Sequence, residues 1–157
     1  MKKLSLWLLM LLLLSNTGLS KPVALPQDAL FVKELKSLSG NWRPIFAQNN
    51  GFKATESDLK GMHWVRNANG HWLMQRGDKT VLRWEIKKID ATKKPKTIDI
   101  EITDGPYKGI VYLGIYDAEG DTSQICFALP DRPVRPTEFS AAEGTVRACT
   151  TFKRVNN

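Results

Sequence analysis

The sequence predicts an all-β protein, an antiparallel up-and-down β-barrel of about eight strands preceded by one short helix. From residue 41 onward, apolar residues recur with a period of two, which is the spacing of strands with one buried and one wet face. Short turns rich in Gly and Asn separate these segments at close intervals. The segments follow one another without helices between them. Closing such a meander into a barrel removes the exposed edges that an open sheet would leave.

The first 20 residues have the features of an export signal. Lys2 and Lys3 give a positive start, Leu4 to Leu14 form an apolar run, and Gly18 and Ser20 offer small residues for cleavage. The run is shorter than the roughly 20 residues of a transmembrane helix, although retention as an anchor is the alternative. We therefore expect a periplasmic or extracellular protein without a stable membrane span, comprising a signal peptide (residues 1–20), a linker (21–26) and one domain (27–157).

The helix is predicted over residues 27–38, because Phe31, Leu35 and Leu38 recur at helical spacing. Asp28 near its start suits the helix dipole. The strands are predicted at residues 41–48, 62–66, 71–76, 80–89, 98–103, 109–116, 123–129 and 145–155.

The second and third predicted strands are joined by Asn67-Ala68-Asn69-Gly70, a strong hairpin signal. A loop with an even number of residues would place Trp64 and Trp72, like His63 and His71, on opposite faces of the sheet, whereas a three-residue loop or a bulge would place them on the same face. With an even loop, one of the two tryptophans is expected to be exposed.

The chain has only two cysteines, Cys126 and Cys149. In an exported chain such a pair indicates a disulfide rather than a metal site. Both lie in predicted strands and could share one face of the sheet, so we expect a bridge; two separate thiols are the alternative.

Several segments carry a recognisable pattern. They read Lys94-Pro95-Lys96-Thr97-Ile98-Asp99, Tyr112-Leu113-Gly114-Ile115-Tyr116, Ile125-Cys126-Phe127-Ala128 and Arg135-Pro136-Thr137-Glu138-Phe139. Together with Leu38-Ser39-Gly40-Asn41-Trp42, which matches a Leu-x-Gly-x-Trp start, they resemble an uncharacterised exported domain family abundant in planctomycete-type bacteria. The resemblance covers about residues 35–155 and implies no assigned reaction. The chain departs from the pattern at Cys149.

The chain also resembles lipocalins, more weakly. Their first strand carries Gly-x-Trp, as at Gly40 and Trp42 here, and their last strand carries a basic residue that packs on that Trp. Arg154 is the corresponding residue in this sequence. The resemblance implies that Arg154 and Trp42 close the barrel by a cation–π contact.

The sequence does not predict an enzyme. His63 and His71 lack metal-ligand spacing, and the hairpin registers with an even loop place them on opposite faces. No nucleophile elbow occurs in the sequence, and Asp99 and Glu101 lie on the wet face of a strand. We therefore expect no metal, no cofactor and no catalytic residue.

Two non-catalytic functions remain open. In a hollow barrel, aromatic and aliphatic side chains would bind a small apolar or amphipathic ligand, with Trp64, Trp72, Trp84, Ile100, Leu113 and Phe127 as lining candidates. Bulky tryptophans could instead fill the barrel. A solid barrel would act through its surface, contacting a cell-envelope component through a lysine-rich hairpin comprising Lys87, Lys88, Lys93, Lys94 and Lys96.

The net charge is +7 for the full sequence and falls to +5 when Lys2 and Lys3 of the predicted signal peptide are left out, which is a modest excess. It favours weak attraction to anionic polymers or surfaces. It does not indicate nucleic-acid binding, which requires a clustered basic face with groups that read or stack on bases.

Overall fold

The computed structural model describes residues 27–155; the predicted signal peptide and linker lie outside them. The helices and strands, in chain order, are α1 (Gln27–Leu38), β1 (Gly40–Asn49), β2 (Phe52–Lys53), α2 (Glu56–Leu59), β3 (Met62–Arg66), β4 (His71–Arg76), β5 (Lys79–Asp90), β6 (Lys96–Ile102), β7 (Val111–Glu119), β8 (Thr122–Ala128) and β9 (Arg147–Val155). The predicted fold class is confirmed, and α1 has the predicted bounds.

The sheet closes into an antiparallel up-and-down barrel of eight strands. From β3 to β9, each strand pairs with the next along the chain, β1 pairs with β3, and β1 also pairs with β9. The short β2 extends beside the last residues of β1. The closing pair runs antiparallel, with Trp42 opposite Arg154 and Asn49 opposite Ala148. We call the end where β1 begins and β9 ends the closed end, and the opposite end the open end.

Helix α1 covers the closed end. Leu35 and Leu38 are buried in the barrel core. Glu34, which is also buried, accepts hydrogen bonds from the Tyr116 hydroxyl at 2.8 Å and from Lys96 Nζ at 3.1 Å. These contacts fasten the helix to β6 and β7. Apolar burial and one buried carboxylate therefore seal this end of the barrel.

The β3–β4 hairpin has a different register from the one predicted. Arg66 is the Cα partner of Trp72, so five residues separate the two paired positions. The Asn67 amide donates to the His71 carbonyl at 3.0 Å, which extends the turn by one residue. Because the number of separating residues is odd, Trp64 and Trp72 both face the interior and both are buried. The even loop and its opposite faces are therefore not formed, and the hairpin has the alternative, a three-residue loop between Asn67 and His71.

The disulfide is confirmed, and it lies outside the barrel. Cys126 and Cys149 are bridged and are Cα partners on β8 and β9. Their side chains form a small second cluster with Ile115 and Ala141. Ala141 belongs to residues 129–146, which link β8 to β9 and which we call the outer strap.

Arg135 attaches the outer strap to the barrel wall. Its guanidinium donates to the Gly114 carbonyl at 2.7 Å and to the Ile98 carbonyl at 3.2 Å. It also forms an ion pair with Asp99 at 2.6 Å. One arginine thereby connects the strap to both β6 and β7.

Candidate ligand-binding cavity

The open half of the barrel interior contains a cavity of about 330 Å³. This volume lies at the lower end of the range for small-molecule sites. Most of the lining side chains are apolar or aromatic, and Asn49 and Thr150 are polar. The apolar and aromatic ones are Trp64, Met74, Leu82, Trp84, Ile100, Tyr112, Ile125, Phe127, Leu129, Ala148 and Phe152.

The sizes of the inward-facing residues explain why the cavity lies at this end. Along β9 they are Ala148, Thr150 and Phe152 from the open end toward the closed end. Small side chains near the open end leave space, whereas Phe152 and Trp42 are fully buried and fill the closed end. A gradient of side-chain volume along one strand therefore positions the site.

Glycine shapes another part of the wall. A Cβ at Gly114 would lie 2.4 Å from Cδ1 of Phe127, far inside contact distance. The Phe127 ring therefore lies against the bare backbone of β7. Its edge meets the Tyr112 ring, with centroids 6.1 Å apart. Without a side chain at 114, the two aromatic rings form a continuous surface facing the cavity.

Four of the six predicted lining residues line the cavity, namely Trp64, Trp84, Ile100 and Phe127. Trp72 does not, because its position on β4 places it in the filled closed half, where it is 1% exposed. Leu113 does not either, because it alternates with the inward-facing Tyr112 and so faces outward. Met74, Leu82 and Ile125 were missed, although the period-two alternation of their strands could have indicated them.

Arg66 is the most unusual residue in the interior. It is 1% exposed and lies among four aromatic rings. Its Cζ is 4.4 Å from the ring centroid of Phe152, 4.7 Å from that of Trp72, 4.8 Å from that of Trp42 and 5.6 Å from that of Trp64. Cation–π contacts of about 0.5–2 kcal/mol each allow the charge to be buried here.

The charge of Arg66 has no anionic partner within residues 27–155. Its one hydrogen bond runs from Nη1 to the hydroxyl of Ser123 at 3.0 Å. Burial, and then the positive charge of Arg154, lower the pKa of the Arg66 guanidinium. Because arginine stays protonated in proteins, this side chain is an isolated buried cation.

The predicted barrel closure is present. The guanidinium of Arg154 lies 4.2 Å from the Trp42 ring centroid and donates to the carbonyls of Ser37 and Ser39 at the end of α1. Gly40 is required at this point, because a Cβ there would lie 2.7 Å from Nη1 of Arg154 and the backbone has a φ of +119°. These contacts join the first strand, the last strand and the helix.

The five lysines do not form one free surface. Lys87 pairs with Glu85 at 3.4 Å and with Glu101 at 3.5 Å, and Lys96 pairs with the buried Glu34. Lys88, Lys93 and Lys94 remain exposed beside the outer strap and border an open groove with it. Two of the five charges are thus neutralised by carboxylates of the same chain.

The described residues show no cluster of three metal-ligating side chains. His63 and His71 both face outward, as expected for a three-residue loop and not for an even one, but His63 is opposite Gln75, four residues from His71. Asp99 and Glu101, on the outward face of β6, have separate partners, since Asp99 binds Arg135 and Glu101 binds Lys87.

Comparisons with protein-family models, with curated proteins and with solved structures find no match. The two resemblances drawn from the sequence therefore stay predictions. Within residues 27–155, no helix has the length and apolar character to cross a membrane.

Proposed function

We propose that this protein is a non-catalytic binding protein whose barrel holds a small apolar or amphipathic molecule. The observation that carries the proposal is the apolar cavity at the open end, bordered by Trp64, Trp84 and Phe127. Ligand sites in proteins are mostly apolar concavities of this kind, with few polar groups. Burying an apolar molecule there would gain about 25 cal/mol for each Å² removed from water.

The alternative, a surface that contacts an envelope component through the lysine-rich hairpin, has less support. Of the five lysines of this hairpin, only Lys88, Lys93 and Lys94 are exposed without an ion pair to another described residue. Exposed lysines also serve as solubilising groups that protect strand ends from edge pairing. By contrast, close packing of the barrel interior would not by itself leave a cavity, so the cavity supports a binding function more directly.

Two adjacent threonines on β9 provide the test. Thr150 lines the cavity, whereas Thr151 faces outward, where its hydroxyl accepts from Gln124 at 3.4 Å. Thr150→Phe should fill the cavity and abolish binding of a neutral apolar probe such as N-phenyl-1-naphthylamine. Thr151→Phe is the matched control and should bind the probe like the unaltered protein.

The measurement is the increase in probe fluorescence during titration, together with the thermal unfolding curve of each variant. The proposal fails if the unaltered protein does not bind the probe. It also fails if both variants, correctly folded, retain binding, because the probe would then occupy some other surface.

A further inference from the structure

The packed side chains around Arg66, next to the cavity, have more hydrogen-bond donors than acceptors. Within the described chain, Nε and Nη2 of Arg66 and Nε1 of Trp72 are buried without a hydrogen-bond partner. The two side chains lie together, with Cζ of Arg66 4.7 Å from the Trp72 ring centroid. Buried donors are nearly always satisfied in folded proteins, so each exception calls for an explanation.

The same packed side chains adjoin the cavity. Trp64 and Phe152 line the cavity and also contact the Arg66 guanidinium. The isolated cation therefore lies directly behind two residues of the cavity wall. A ligand in the cavity would reach the guanidinium once one of these rings moved aside.

We infer that the ligand is an amphiphile with a carboxylate head group, which binds Arg66 at the inner end of the cavity. This inference rests on the proposed function and specifies its ligand class. A carboxylate accepts hydrogen bonds only and has about four lone-pair sites. Its planar shape matches the fork of a guanidinium.

Ser123 completes the arrangement. Its hydroxyl is buried and accepts from Nη1 of Arg66, so its own proton remains available to a second acceptor. A carboxylate beside Arg66 would receive hydrogen bonds from the guanidinium and from this hydroxyl. The apolar body of the ligand would extend toward the open end along Trp84 and Ile100.

Two ligands that differ only in the head group test the inference, namely decanoate and decan-1-ol. Isothermal titration calorimetry at pH 7.5 should show decanoate binding about tenfold or more tightly than decan-1-ol, because hydrogen bonds to charged groups are strong in buried sites. Arg66→Met should remove this preference and leave decan-1-ol affinity within about threefold. Arg83→Met changes an exposed, outward-facing arginine that is paired with Asp104 and is the matched control.

The outcomes separate the two proposals. If decan-1-ol binds but decanoate has no advantage, or if Arg66→Met weakens both ligands equally, the head-group inference is overturned and the proposed function stands. If neither ligand binds, and the neutral probe does not bind either, both proposals fail.

A second measurement uses the unaltered protein and tests the head-group inference even if Arg66→Met does not fold. The carboxyl carbon of ¹³C-labelled decanoate reports its own ionisation by NMR. A neighbouring guanidinium favours the charged carboxylate, so the bound ligand should titrate about one pH unit or more below the free ligand. Titration at or above the value of the free ligand would overturn the inference.

Discussion

The two ends of the barrel differ in how their interiors are filled. At the closed end, Trp42, Trp72 and Phe152 are at most 1% exposed and surround Arg66 beneath helix α1. At the open end, small residues such as Ala148 and Thr150 leave a cavity of about 330 Å³. We therefore expect the packed closed half, where the aromatic residues and the helix meet, to contribute more to stability than the open half.

The largest expected effect comes from truncating one tryptophan that borders the cavity and one that does not. Trp72 and Trp84 are direct Cα partners on β4 and β5, but only Trp84 borders the cavity. Trp72→Ala should lower the free energy of unfolding by about 3–5 kcal/mol, as cavity creation in a packed core does. Trp84→Ala should cost less, about 2 kcal/mol, because its ring already faces open space.

Urea denaturation of both variants measures this difference. The contrast between the two halves would be contradicted if Trp84→Ala were as destabilising as Trp72→Ala. Phe52→Ala, at an 82% exposed position, is a control that should change stability by less than about 0.5 kcal/mol.

The disulfide separates stability from ligand binding. The bridge closes a loop over a sequence separation of 23, so removing it should cost about 3 kcal/mol on the chain-entropy account. Cys126 and Cys149 lie outside the barrel beneath the outer strap. The double variant with alanine at both positions should therefore bind the neutral probe with unchanged affinity at a temperature where it is folded.

Denaturation and probe titration of this double variant test both parts of the prediction. Unchanged stability would mean that the bridge contributes nothing in the native protein. A loss of binding in the folded variant would show that the strap, and not the barrel alone, maintains the cavity.

Tyr116 probes the attachment of the helix and gives a smaller effect. Burial, followed by its hydrogen bond to Glu34, raises the pKa of the Tyr116 hydroxyl. An unfolded tyrosine ionises at about pH 10. Above that pH the folded state therefore retains a proton that the unfolded state has lost. This contribution to stability is fully present below about pH 10 and decreases as the pH rises further.

Tyr116→Phe should therefore cost about 1 kcal/mol at pH 7, the net value of one hydrogen bond. The difference from the unaltered protein should shrink above about pH 10. Denaturant unfolding at pH 7 and at higher pH measures it, and a difference that grows with pH would contradict the assignment.

The architecture could be predicted from the sequence because its signals are local. The alternation of Leu82, Trp84 and Ile86 with charged residues identifies a strand with one buried face, and Asn49-Asn50-Gly51 marks a turn. Thr55 and Asp58 have the spacing of a capping box, and the structure shows both of its hydrogen bonds. Such patterns depend on neighbouring residues only.

The centre of the site could not be predicted in the same way. The register of the β3–β4 hairpin depends on one additional residue in the turn, and a shift of one residue reverses the faces of Trp72 and His71. Nothing local in the sequence indicates that Arg66 is buried, because arginine is rarely buried without an anionic partner. Arg66 lies two residues after Trp64 on the same strand, so the two side chains share a face. This spacing indicates that Arg66 is buried only if Trp64 is known to face inward.

The central claim is that the ligand occupies the open half of the barrel and not the closed half or the outer wall. Leucine methyl groups are distributed so that one NMR experiment tests it. Leu82 and Leu129 line the cavity, Leu35 and Leu38 belong to α1 and are buried in the core at the closed end, and Leu113 faces outward. With methyl-labelled leucines and bound decanoate, we expect intermolecular NOEs from the alkyl chain to Leu82 and Leu129 alone among these five. NOEs to Leu113, or none to Leu82 and Leu129 despite saturation, would contradict the account.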